Sequence, residues 1–158
     1  MIDITSSKLR TDDSIPDWQS YVPAIGATTT APTKGTISRD ICFYKLIGNE
    51  LIMNYQYRQT AAGSAGSGYY LFSLPIGYTA DMTVIASSTH LYLGTCGYGL
   101  IYTTSSGEIH GHVSLHDDGV NFRLMRQIDS LGWVSNGVCP LSNADVIYAV
   151  QMRIPVVI

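Results

Sequence analysis

Three of the chain's four histidines fall within one short run, Ile109-His110-Gly111-His112-Val113-Ser114-Leu115-His116. Strand alternation would place His110, His112, Ser114 and His116 on one face, offering three imidazoles to a zinc, iron, nickel or manganese ion. A catalytic site of that kind also wants a carboxylate a few residues on and a further histidine on a later strand. Here the run ends in Asp117-Asp118-Gly119, and His90 is the only other histidine. The plainer reading is a polar strand face turned to solvent or to a neighbouring subunit. No metal, cofactor or catalytic residue is assigned, and His110, His112 and His116 are the candidates should a metal be bound.

Other groups lead to plainer chemistry. Asp117-Asp118-Gly119 lacks the ligand spacing of a calcium loop and suits a hairpin turn. The run Ala61-Ala62-Gly63-Ser64-Ala65-Gly66-Ser67-Gly68 lacks the Lys-Ser/Thr ending of a phosphate-binding loop and precedes a strand, so it reads as a flexible or close-packed connector. Cys42, Cys96 and Cys139 show no CxxC spacing, which predicts reduced, mostly buried thiols instead of a disulfide framework or zinc site. Tyr69, Tyr70, Tyr92, Tyr98 and Tyr102 lie near glycine-rich turns, where rings could stack on a sugar. Core or interface roles suit them better, since tyrosine is common in sheets. Trp18 and Trp133 are expected to seal the domain.

The elements that carry these residues are strands. Residues 41–47 and 50–58 form a predicted hairpin around Gly48-Asn49, with Leu51, Met53, Tyr55 and Tyr57 on one face and Ile52, Asn54, Gln56 and Arg58 on the other. Further strands are predicted at 18–25, 69–74, 82–86, 90–95 and 99–104, and 108–116 pairs with 120–127 in a second hairpin. A last strand at 145–154 turns Val146, Tyr148, Val150, Met152 and Ile154 to one side. No segment shows a helical period. Short strands without βαβ alternation predict an all-β protein, an antiparallel β-sandwich of jelly-roll type, with residues 18–158 as one domain.

Composition narrows the partners. Of 158 residues, 13% are charged, against about 25% in ordinary soluble domains, so the surface suits repeated subunit contacts. Net charge is -3 without a Lys/Arg cluster, which argues against a nucleic-acid partner. Neither a secretion signal nor a membrane-spanning run is visible. Residues 1–17 are polar and aperiodic, and read as an attachment arm with Ile2, Ile4, Leu9 and Ile15 as its apolar anchors.

Trp18-Gln19-Ser20-Tyr21-Val22-Pro23, Thr33-Lys34-Gly35-Thr36, Tyr44-Lys45-Leu46-Ile47-Gly48-Asn49-Glu50-Leu51, the 62–68 run and Phe72-Ser73-Leu74-Pro75 together resemble bacteriophage virion proteins. Similar W-x-S-Y-x-P, R-x-G-D-x-L and L-P-x-G runs occur in the C-terminal heads of tail fibres and in capsid-decorating or head-fibre proteins. The resemblance covers residues 18–82; Asn49 and Glu50 stand where Asp and a polar residue are usual. It implies a trimeric jelly roll without enzymatic activity, located in the virion after assembly in the host cytoplasm. Its partners would be two further copies, other capsid or tail proteins and a host-surface glycan. The short segment before Trp18 favours a small standalone component over a full fibre. Two readings stand beside this one: a lectin-like carbohydrate-binding module, and a metal enzyme resembling cupins through the His110-x-His112 pair.

Overall fold

The computed structural model describes residues 17–85, 95–104, 107–126, 132–135 and 139–157. They form eleven strands: β1 (Gln19–Tyr21), β2 (Ile25–Ala27), β3 (Ile37–Ile47), β4 (Glu50–Gln59), β5 (Tyr70–Ser73), β6 (Thr79–Ala80), β7 (Thr95–Thr103), β8 (Gly107–Leu115), β9 (Asn121–Arg126), β10 (Gly132–Trp133) and β11 (Val146–Val157). No helix occurs among the described residues. All strand pairings are antiparallel and belong to one sheet in the order β1-β3-β4-β11-β7-β8-β9-β5-β2, with β10 added on β9 and β6 on β11.

Alternation builds this sheet. Along β4 the residues Leu51, Met53, Tyr55 and Tyr57 are buried while Gln56 and Arg58 are exposed, and β11 buries Val146, Tyr148, Val150, Met152, Ile154 and Val156. The two strands pair from Val146↔Gln59 to Pro155↔Glu50, which sets their buried faces side by side. Pro155 does not stop β11. Its carbonyl accepts the Asp81 amide on the edge where the β7 ladder has already ended at Met152, so its missing N–H leaves no ladder bond unmade. At the β3–β4 turn only Gly48 has positive φ, at 62°, the pattern of a type II′ hairpin in which glycine holds the first central position.

The sheet curls into a half-barrel and covers its own inner face. Phe72 of β5 stacks at 5.2 Å on Phe122 of neighbouring β9 and lies 5.9 Å from Tyr55 of β4 and 5.6 Å from Tyr148 of β11, strands remote from it in the sheet order. Burying each such ring contributes about 1.5–3 kcal/mol, and edge-to-face or offset contact adds to it. At the far ends, the Tyr21 hydroxyl of β1 donates to the Ser73 carbonyl of β5 at 2.9 Å.

Two strand expectations change. The predicted strand 18–25 is two short strands parted by residues 22–24 around Pro23, since β1 pairs with β3 and β2 with β5. Residues 82–85 turn instead of extending, because the Asp81 carboxylate accepts both the amide (3.0 Å) and the hydroxyl (2.5 Å) of Thr83. The predicted strand at 90–95 lies outside the described residues except for Thr95, which begins β7.

The 61–68 connector is close-packed. Its backbone runs against residues 28–35, with bridges Thr30↔Ser67 and Thr33↔Ser64. A Cβ on Gly63 would stand 2.0 Å from the Thr33 carbonyl oxygen, so the small residues of this run permit backbone to approach backbone.

Candidate functional site

The histidines of the run have different surroundings. On β8, His110 is exposed, His112 is half-buried beside Tyr98 with ring centroids 5.5 Å apart, and Ser114 is buried. His112 Nδ1 and Ser114 Oγ are buried atoms without a hydrogen-bond partner. His116 lies beyond the end of β8, with Nδ1 3.0 Å from Asp118 Oδ2. Among the described residues no group of three His, Cys, Asp or Glu side chains could hold an ion.

Asp117-Asp118-Gly119 is a turn, as its sequence predicts. The Asp118 carboxylate accepts the amides of Val120 (2.9 Å) and Asn121 (3.0 Å) and the Asn121 side chain (2.7 Å). Partial burial would raise its pKa, but these bonds and nearby His116 hold it below the usual carboxylate value.

The thiols lie inside or near the core. Cys42 and Cys139 are buried, Cys96 is half-buried, and none of the three is in a disulfide. Burial pushes Cys42 and Cys96 up to about 12, the opposite of an activated nucleophile.

The tyrosines divide by their hydroxyls. Tyr57 donates to Gln59 Oε1 at 2.6 Å, Tyr70 to the Ala65 carbonyl at 2.8 Å and Tyr148 to the Cys139 carbonyl at 2.8 Å, so rings that fill the core also pin its border segments. Burial drives Tyr55 and Tyr148 well above the ordinary phenol value. Of the five tyrosines named as sugar-stacking candidates, Tyr70 is therefore core and Tyr69 is exposed elsewhere. Tyr102 is half-buried on β7, and Tyr92 lies outside the described residues. Tyr98 is 71% exposed on the outer face of the sheet.

That outer face carries a groove. Lys45 of β3 pairs with Ile52 of β4, which pairs with Arg153 of β11; two residues along, Asn54 pairs with Gln151, which pairs with Tyr98 of β7. Around these residues lies a groove of about 610 Å³, lined also by Trp18. No protein-family model, no curated protein and no solved structure matches the chain. The site is therefore read from its own geometry. Trp18 does not seal the domain as expected: it is 45% exposed, with Lys45 Nζ 4.9 Å above its ring. The side chain of Trp133 lies outside the described residues, as do the arm residues Ile2, Ile4, Leu9 and Ile15.

Among the described residues no carboxylate lines the groove, and neither the Asn54 nor the Gln151 side-chain amide has a partner. The arrangement can bind and orient a polar ligand through rings, amides and cations. Periodicity assigned Asn54 to the outward face of β4 and Tyr98 was among the sugar-stacking candidates, but Lys45, Gln151 and Arg153 had no signal of their own, because β11 inserts between β4 and β7 from the far end of the chain.

A second, apolar groove of about 510 Å³ lies beside Tyr21, Tyr44 and Leu74, with Val22 (61% exposed) and Ile76 (101% exposed) at its rim. No helix among the described residues is long and apolar enough to cross a membrane.

Proposed function

We propose that the chain is a non-enzymatic structural protein of a bacteriophage virion. It acts as a homotrimer of jelly-roll-type domains that decorates the capsid or forms part of a fibre or tail tip. The observation that carries this reading is the apolar groove rimmed by Val22 and Ile76 on a weakly charged chain. Large apolar side chains left in water favour burial against another copy, and the low charge limits repulsion between like surfaces. The resemblance of residues 18–82 to fibre heads supports the choice of trimer. In this reading the arm of residues 1–17 joins the trimer to the particle, with Ile2, Ile4, Leu9 and Ile15 as anchors.

Sedimentation equilibrium tests the assembly: the expected mass is three times the 17.2 kDa of one chain, and Val22→Asp with Ile76→Asp should yield monomers. A wild-type monomer at micromolar concentration refutes the trimer. Deleting residues 1–17 should leave a trimer that no longer joins the virion, and co-purification of the truncated protein with particles removes the arm's role.

A further inference from the structure

We infer that the outer-face groove is a binding site for an acidic saccharide, a sugar chain bearing carboxylate or sulfate groups. The inference adds a ligand to the proposed surface protein but rests on different residues from its subunit contact.

Four observations converge on this ligand. The first is flat and aromatic: Trp18 and Tyr98, 45% and 71% exposed, both line one groove, where the apolar face of a pyranose can cover a ring. The second is the row Asn54–Gln151–Tyr98 across three adjacent strands. Neighbouring strands are about 4.8 Å apart, a spacing comparable to the length of one sugar ring, so successive rings can lie over successive strands. Each amide offers a donor and an acceptor to neighbouring hydroxyls, and neither is engaged elsewhere among the described residues.

The third observation is charge. Lys45 and Arg153 lie two strands apart on either side of Ile52, roughly 10 Å between backbones by strand spacing. Among the described residues they are the only charged ones that line the groove, in a chain whose net charge is -3. Glu50 approaches Arg153 from outside at 3.7 Å, but both are well exposed, which leaves guanidinium N–H groups for a planar anion. The fourth is location. The groove lies on a sheet face, not along an edge, so an extended peptide has no unpaired ladder there to join. Two cations are too few to hold a nucleic-acid backbone.

The test uses the purified full chain on an array of carboxylated, sulfated and neutral oligosaccharides, followed by calorimetry with the strongest acidic hit and its neutral counterpart. The acidic sugar is expected to bind at least about tenfold more tightly than the neutral one, an advantage that shrinks as salt rises. Arg153→Gln and Lys45→Gln should remove that advantage. Asn54→Ala and Tyr98→Ala should weaken both sugars by about tenfold, with unchanged circular dichroism. Absence of any acidic hit, equal affinity for the two sugars, or affinities unmoved by all four substitutions overturns the inference. A trimer that joins particles yet binds no acidic sugar refutes this site alone, whereas a monomer that binds one refutes the assembly alone.

Discussion

Gln59 is the single residue whose loss should cost the fold most for its size. It is fully buried at the end of β4 and makes four hydrogen bonds. Its Oε1 accepts the Tyr57 hydroxyl at 2.6 Å and the Gly35 amide at 3.1 Å, while Nε2 donates to the carbonyls of Leu141 at 2.7 Å and Asn143 at 2.6 Å. One side chain thus ties β4 to the segment before β3 and to the segment before β11. Gln59→Leu keeps most of the volume and removes all four bonds. The Leu141 carbonyl still receives the Gly63 amide at 2.8 Å, so its loss is partly offset. The Gly35 amide and Tyr57 hydroxyl lose their acceptor, and a buried group without a partner costs about 1–3 kcal/mol. Allowing for the extra apolar burial of leucine, the expected total is about 3–5 kcal/mol, a large part of the roughly 5–15 kcal/mol available to a domain. Urea unfolding should show a lower midpoint with unchanged slope. Tyr57→Phe alone should cost about 1 kcal/mol, and the double variant less than the sum of the two, because the hydroxyl orphaned by Gln59→Leu is then absent. A loss below about 1 kcal/mol for Gln59→Leu, or strict additivity with Tyr57→Phe, would falsify the latch.

Three further outcomes follow from the same packing. Folding raises the pKa of Cys42 from 9.0 to about 12 and lifts the phenols of Tyr55 and Tyr148 above 10.0, so the unfolded chain releases these protons first. Stability is therefore intact below pH 9 and falls above it, by about 1.4 kcal/mol per pH unit for each group ionised only in the unfolded state. Urea midpoints between pH 8 and pH 11 should show this decline, with a shallower first step in Cys42→Ala. Gly63→Ala drives a methyl into the Thr33 carbonyl oxygen and should cost about 2 kcal/mol or more, whereas Gly48→Ala, in open space but at φ 62°, should cost about 1–2 kcal/mol; equal thermal shifts for the two would contradict the close approach at Gly63. Lys34 Nζ lies 2.5 Å from Asp40 Oδ2 and their side chains are 22% and 7% exposed, so Asp40→Asn should cost about 2–3 kcal/mol, with Lys34→Met added to it restoring part of the loss in thermal unfolding.

What was legible in the sequence follows from the range of the forces involved. The β3–β4 hairpin could be read because Gly48 and the alternation from Leu51 to Tyr57 act within a few residues, and the Asp118 turn because its carboxylate bonds to amides two and three positions on. The same parity reaches Gln59, a polar residue at an inward position, which is the signal that could have revealed the latch had β4 been carried one residue further. The 82–85 turn was missed because Met82, Thr83, Val84 and Ile85 favour strands, yet one carboxylate before them captures Thr83. The groove was hidden for another reason. Alternation says which side chains face outward but not which strands are neighbours, and Lys45, Asn54, Tyr98 and Gln151 meet only through the β3-β4-β11-β7 order.

The tyrosines show how one residue type serves both fold and site here. A sheet that curls over itself must fill a wide interior and also fasten the segments that cross its rim. Tyr21, Tyr57, Tyr70 and Tyr148 do both, since each ring packs inward while its hydroxyl reaches a backbone carbonyl or, for Tyr57, the Gln59 amide. Replacing any of them by phenylalanine keeps the apolar burial and releases a rim segment. Tyr98 differs: it faces outward, has no such partner among the described residues, and contacts the His112 ring. A hydroxyl without such a partner adds nothing to the folded monomer, so its expected effect separates from the others. Tyr98→Phe should leave the unfolding midpoint in place, in contrast to about 1 kcal/mol lost in Tyr148→Phe. If Tyr98→Phe destabilised the chain as much as Tyr148→Phe, the residue would belong to the core, and the groove would lose the ring on which its ligand is proposed to rest.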